Sequence, residues 1–249
     1  MIRQILFGLT IVLVVSTAGM ATPTLQLDIR GGTYDWSSET VIASGNVFTL
    51  YAYLIPNSKN TITDEYFIAA AVDPQYGPSG GSLGSFVFNG QTIQVTSNMT
   101  FGTPPLEGLL AAWDPGDLAK HGIYPTYFSE FAFHFNSAPV TQSGIYNTEN
   151  HAGQGPTTGT GMYYKAFTVD VSNLQNPYRI HFDLYNTGLK NGDEDVTEFA
   201  PFSHDAESRA ATHPQSVPEP NTLSLLATGG LGLLVALKRS RPVGQAKVR

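Results

Sequence analysis

Between Thr22 and Ser216 no stretch carries the 3.6-residue apolar period of a long helix; short β-rich runs recur instead, separated by Gly, Pro, Asn and Asp. That pattern restricts the region to an all-β sandwich or barrel. The candidate strands are Thr24–Arg30, Val47–Leu54, Tyr66–Val72, Leu83–Phe88, Gln91–Thr96, Glu130–Phe135, Tyr163–Val171 and Tyr178–Tyr185. Alternation is sharpest in two of them. Phe131, Phe133 and Phe135 share one face opposite Ala132 and His134, and Ile180, Phe182 and Leu184 oppose His181 and Asp183, so each strand has one side suited to a dry core and one suited to water. The Asn89-Gly90 pair between two such runs tolerates the positive φ angles of a type I′ turn and predicts a hairpin. Pro104-Pro105, Pro115-Gly116 and Pro125 deny donors to any ladder and mark Gly102–Tyr127 as an irregular excursion, with one helical turn expected near Gly116–Lys120. Gly153–Gly161 reads as a loop. With no internal repeat, the expected architecture is a single, jelly-roll-like β-sandwich over residues 22–202, followed by a linker at 203–216 where apolar density falls.

The region from Thr22 to Ser216 holds seven basic residues against nineteen acidic ones, a formal charge of −12. Such a surface repels phosphate backbones, which argues against nucleic-acid binding. The chain has no cysteine, so disulfides, thiolate zinc sites and cysteine nucleophiles are all excluded. Core burial, and a metal ion if one binds, must hold the fold.

Both ends of the chain are sorting segments in appearance. Met1–Arg3 supplies a small positive region and Ile5–Val15 an apolar core, followed by the small-residue sites Ser16-Thr17-Ala18 and Gly19-Met20-Ala21. This is the layout of a signal peptide spanning 1–21, with signal peptidase as a partner. At the other end Val217-Pro218-Glu219-Pro220 precedes an uncharged run from Leu223 to Leu237, then Lys238, Arg239 and Arg241, leaving 242–249 as a short tail. An apolar run with basic residues on its C-terminal side is expected to enter a membrane as a helix with its positive end in the cytoplasm. The segment 217–241 resembles the PEP-CTERM sorting signal of Gram-negative bacteria. That resemblance implies export, cleavage near the Pro-Glu-Pro motif by the membrane protease exosortase, and association with the cell surface or extracellular polysaccharide. The phrases Thr24–Ile29, Phe48–Pro56, Gly161–Phe167 and Phe199–Ala206 resemble the choice-of-anchor N family of exported bacterial proteins; this implies a surface domain with no catalytic residues to carry over.

Several constellations are candidates for chemistry. Gly77-Pro78-Ser79-Gly80-Gly81 matches G-x-S-x-G in letters, but the nucleophile elbow needs a strand before the serine and a helix after it, and a Pro-Ser-Gly-Gly turn is the simpler reading. The run Asn191–Glu198 spaces oxygen ligands on alternate residues, and Asn191, Asp193, Asp195 and Glu198 form a candidate calcium site. It is not an EF-hand, because Val196 stands where that loop needs glycine. A solvated acidic turn is the alternative, and Asp205 and Glu207 are positioned to complete a cage if the chain folds back. Of the six histidines none forms an H-E-x-x-H pair; His134, His181 and Asp183 would make a transition-metal set if their strands were neighbours, and otherwise sit on a wet sheet face. Trp36 and Trp113, in loop-like contexts, offer ring faces on which sugars can stack. The expected function is therefore that of an exported, non-enzymatic structural or adhesive protein, with carbohydrate binding as the alternative and an exported hydrolase as a more distant one.

Overall fold

The computed structural model describes residues 22–106, 116–190 and 193–210. The signal-like segment, Trp113, Asn191 and the whole sorting tail lie outside the described residues. Among those described, two sheets face one another, and no helix is long and apolar enough to cross a membrane.

The first sheet contains β1 (Leu25–Ile29), β4 (Val47–Leu54), β6 (Ser85–Phe88), β7 (Gln91–Gln94), β10 (Thr141–Gly144) and β11 (Gly161–Asp170). Its order is β1-β4-β11-β6-β7, with β10 beside the N-terminal half of β11. The second contains β2 (Thr33–Asp35), β3 (Thr40–Ile42), β5 (Tyr66–Asp73), β8 (Thr100–Gly102), β9 (Thr126–Phe133), β12 (Arg179–Lys190), β13 (Asp193–Phe199) and β14 (Asp205–Glu207). Its order is β2-β3-β14-β12-β5-β9-β8, with β13 pairing the C-terminal half of β12. The one helix described is a single turn, α1 (Thr148–His151), capped by the Asn147 side chain on Glu149 N.

The core lies between the sheets. Leu25, Leu27, Ile29 and Leu50 meet Ile68, Ile180, Phe182 and Leu184 there, and Phe88 stacks on Phe131 with ring centroids 4.0 Å apart. The expected dry faces of β9 and β12 are the ones that pack. Removal of each such aromatic side chain from water contributes about 1.5–3 kcal/mol, which is how a chain without disulfides holds two sheets together. The Asn89-Gly90 hairpin is present, with φ of 47° and 85° and Phe88 opposite Gln91.

Three expectations need correction. First, no helical turn forms at Gly116–Lys120; the chain turns at Lys120–Tyr124, with Ile123 N donating to Lys120 O at 2.8 Å. Second, the outer face of β12 is not wet. The excursion folds over it and buries Leu118, Ile123 and Tyr124 against Ala69, Ala71 and Tyr185 in a second apolar cluster. Third, the folded part does not stop at residue 202. A 3-10 turn, Phe202–His204, leads into β14, which lies between β12 and β3, antiparallel to the first and parallel to the second. Ile180 N donates to Ser208 Oγ and Ser208 N to Ile180 O, both at 2.9 Å, and the Arg209 guanidinium reaches Ser44 O. A strand inserted at that position belongs to the domain and not to a linker.

Candidate metal centre

The register of β12 and β14 builds a cluster on the outer face of the second sheet. His181 pairs with Glu207 and Phe182 with Ala206; one step further, Asp183 lies beside Asp205. Because side chains alternate, Phe182 and Ala206 enter the core while His181, Asp183, Asp205 and Glu207 share the opposite face. The excursion then brings His121 down on top. Its backbone φ is +31°, a region that non-glycine residues rarely adopt, and its ring lies flat against Phe202 with centroids 4.1 Å apart.

The result is a tight group of ligand-type atoms. His121 Nε2 lies 3.2 Å from His181 Nε2, 3.2 Å from Asp183 Oδ1 and 3.6 Å from Asp205 Oδ2. His181 Nε2 lies 3.6 Å from Asp183 Oδ1 and 3.5 Å from Asp205 Oδ2. The side chains are all nearly closed to solvent, from 1 % exposed for Asp205 to 8 % for His121.

A second ring of contacts aims these atoms. The Ala119 carbonyl, which can only accept, lies 2.7 Å from His121 Nδ1, so Nδ1 carries the proton and Nε2 presents its lone pair inward in the neutral ring. Tyr124 Oη donates to Asp183 Oδ2 at 2.6 Å and leaves Oδ1 for the cluster. Glu207 Oε2 stands 3.7 Å behind His181 Nδ1 and is itself paired through Oε1 with Arg179 Nη1 at 3.0 Å, while the same guanidinium also pairs with Asp73. Asp205 has no such support: neither Oδ1 nor Oδ2 accepts a hydrogen bond from any described group.

Burial pulls both imidazoles down, but the surrounding carboxylates more than offset it, and both end above the ordinary histidine value. Burial pushes Asp183 up, yet the two histidines hold it well below the usual carboxylate range. Asp205 goes the other way, raised by burial and by the charge on Asp183. Buried charge here is balanced only by protons shared among four groups. A cation can take their place.

His121, His181, Asp205 and Glu207 line a cleft of about 820 Å³ together with Asp35, Glu39, Asp73, Arg179 and Arg209. Trp36, next to Asp35 in sequence, is 67 % exposed and packs edge-on against Tyr34 at 4.8 Å.

Other sequence candidates fall elsewhere. His134 is not a partner of His181, because β5 separates β9 from β12; its Nδ1 meets the Asp64 carbonyl at 2.9 Å and its Nε2 lies 3.9 Å from Glu65. His121 takes the place expected of it, and Asp205 and Glu207 do fold back, but onto His181 and Asp183 instead of the acidic run. That run is no loop: Asp193–Phe199 is strand β13, in register with β12 from Lys190↔Asp193 to Gly188↔Asp195. Asp195 pairs with Lys190 at 3.7 Å, and Glu194 accepts from Thr187 Oγ1. Ser79 sits on a turn with no helix after it. His121 carried no sequence signal, since nothing in its surroundings has a period or a motif.

Comparison with known proteins bears on the far end of the chain. No curated protein and no solved structure matches it. A family model described as the PEP-CTERM protein-sorting motif matches residues 216–240, which include Val217, Pro218, Glu219, Pro220, Lys238 and Arg239 and end one residue short of Arg241. The chain thus carries a PEP-CTERM protein-sorting motif.

Proposed function

We propose that this protein is exported, threaded into the inner membrane by its C-terminal segment, and released by exosortase to the cell surface or extracellular matrix, where its β-sandwich acts as a structural or adhesive module without catalytic activity. The observation that carries the reading is the sorting motif at 216–240, which begins shortly after the last strand of the folded part ends at Glu207. The signal-like residues 1–21 agree with it, and the resemblance of four sequence phrases to choice-of-anchor N proteins is consistent with the same setting. A test is to follow a tagged chain in an exosortase-bearing host. The wild type is expected to appear outside the inner membrane as a shortened form, whereas replacement of Pro218, Glu219 and Pro220 by alanine leaves a full-length, membrane-held species. Equal processing and location of the two forms would contradict the proposal.

A second reading is favoured by the exposed Trp36 beside a polar cleft: the module binds carbohydrate, with the indole as a stacking platform. Trp36→Ala is then expected to abolish retention on a glycan array, and unchanged retention would exclude Trp36 as the platform.

A further inference from the structure

The cluster on β12 and β14 leaves buried polar atoms that hydrogen bonds among the described residues do not satisfy. His121 Nε2 and His181 Nε2 lie 3.2 Å apart, His121 Nδ1 is taken by the Ala119 carbonyl, and His181 Nδ1 has no hydrogen-bond partner. Asp205, 1 % exposed, places Oδ2 within 3.6 Å of both Nε2 atoms, and neither of its carboxylate oxygens meets a hydrogen-bond donor among the described residues. A fully buried carboxyl group in that state must either hold a proton or carry a charge without donors, and both are costly.

Five of the six separations among the four ligand atoms lie between 3.2 and 3.6 Å, and all six are within 4.8 Å. Ligands placed about 2.0–2.2 Å from a zinc ion at the corners of a tetrahedron stand about 3.4 Å from one another. We infer that His121, His181, Asp183 and Asp205 bind one divalent transition-metal ion of the zinc type in a closed, four-coordinate, structural site. Outer contacts of the kind such a site uses are present on two ligands: a backbone carbonyl orients His121 and a tyrosine hydroxyl orients Asp183, while the Glu207 carboxylate stands 3.7 Å behind His181 Nδ1. Two imidazoles and a coordination number of four disfavour calcium, which prefers six to eight oxygens. The ion ties the covering excursion, through His121, to the central strand β12 and to the last strand β14. In a chain without cysteine it supplies the cross-link that disulfides supply in other exported domains.

The test uses the full chain, stripped with a chelator and then titrated with zinc(II), with calcium(II) as control. One zinc per chain is expected by elemental analysis, with a rise in melting temperature of about 5–10 °C at a hundredfold excess over Kd and no response to calcium. Cobalt(II) is expected to give the intense visible bands of tetrahedral coordination. His121→Ala, on the covering segment, and Asp205→Asn are each expected to abolish both stoichiometric zinc and the thermal shift while keeping the far-ultraviolet signature of the strands. Absence of zinc and of any shift in the wild type overturns the inference, as does wild-type zinc binding by both variants. A weak, six-coordinate cobalt spectrum overturns the closed site, and that measurement stands whether or not either variant folds.

Discussion

Asp28 on β1, an edge strand of the first sheet, and Asp205 on β14, inside the second, are both buried carboxylates, and they are satisfied in opposite ways. Asp28 accepts four hydrogen bonds: from Ile29 N and Gly153 N at 2.8 Å, from Tyr146 Oη at 3.1 Å and from Gly155 N at 3.3 Å. Asp205 accepts none, and has two histidines at 3.5–3.6 Å instead. The difference teaches what each end of the sandwich uses as a clamp. At Asp28 a glycine-rich loop supplies backbone donors; Gly153 has φ of +78° and a Cβ there would lie 2.2 Å from Gly32 O, so only glycine brings its N–H so close. At Asp205 the partners are ring nitrogens that lose their protons to become ligands, and the clamp is an ion.

The sharpest way to break this comparison is to delete each carboxylate. Asp28→Ala strands three backbone donors and a tyrosine hydroxyl, and is expected to cost at least about 4 kcal/mol at about 1 kcal/mol or more per buried unpaired group, visible as a lowered denaturant midpoint with or without zinc. Asp205→Asn removes a buried charge that has no donor, so the chelator-treated protein is expected to be no less stable than the wild type; a loss as large as that of Asp28→Ala would show that the two sites are alike.

Titration sharpens the contrast. Burial outweighs the four donors and lifts Asp28 from 3.8 to about 6. The folded state therefore holds a proton in a window where the unfolded chain does not, and the stabilisation is complete below about pH 4 and lost as pH rises through about 6. Measured against Asp28→Asn, wild-type stability is expected to rise by about 2–3 kcal/mol between pH 7 and pH 4. A flat difference would remove the claim that Asp28 is buried as described.

How much of this was legible beforehand differs by region for physical reasons. Strand β4 was expected at Val47–Leu54 and forms at those residues, and the alternation in β12 assigned Phe182 to the core, because side-chain period is a local property. Strand β14 was missed: Asp205-Ala206-Glu207 is three residues long and polar at two of them, and it is a strand only because β12 and β3 flank it. The acidic ligands on alternate residues were read as a loop because a period of two belongs equally to a strand. His134 was paired with His181 through a guessed strand order, whereas His121 arrives from a proline-rich segment whose path depends on what it covers. His181, Asp183 and Asp205 are thus legible as ligand types, Asp205 toward the wrong partners, and His121 is tertiary.

A smaller effect separates the support of the cluster from its ligands. Tyr124→Phe removes the hydroxyl that fixes Asp183 Oδ2 and is expected to weaken zinc about tenfold, at a cost of about 1–3 kcal/mol to metal-free stability. An unchanged Kd would mean that Asp183 needs no such orientation.

The most direct measurement is X-ray absorption at the zinc edge on the zinc-loaded full chain. The account predicts two nitrogen and two oxygen ligands at about 2.0–2.2 Å, with the outer-shell scattering of two imidazoles. A spectrum of six oxygen ligands without histidine would contradict it.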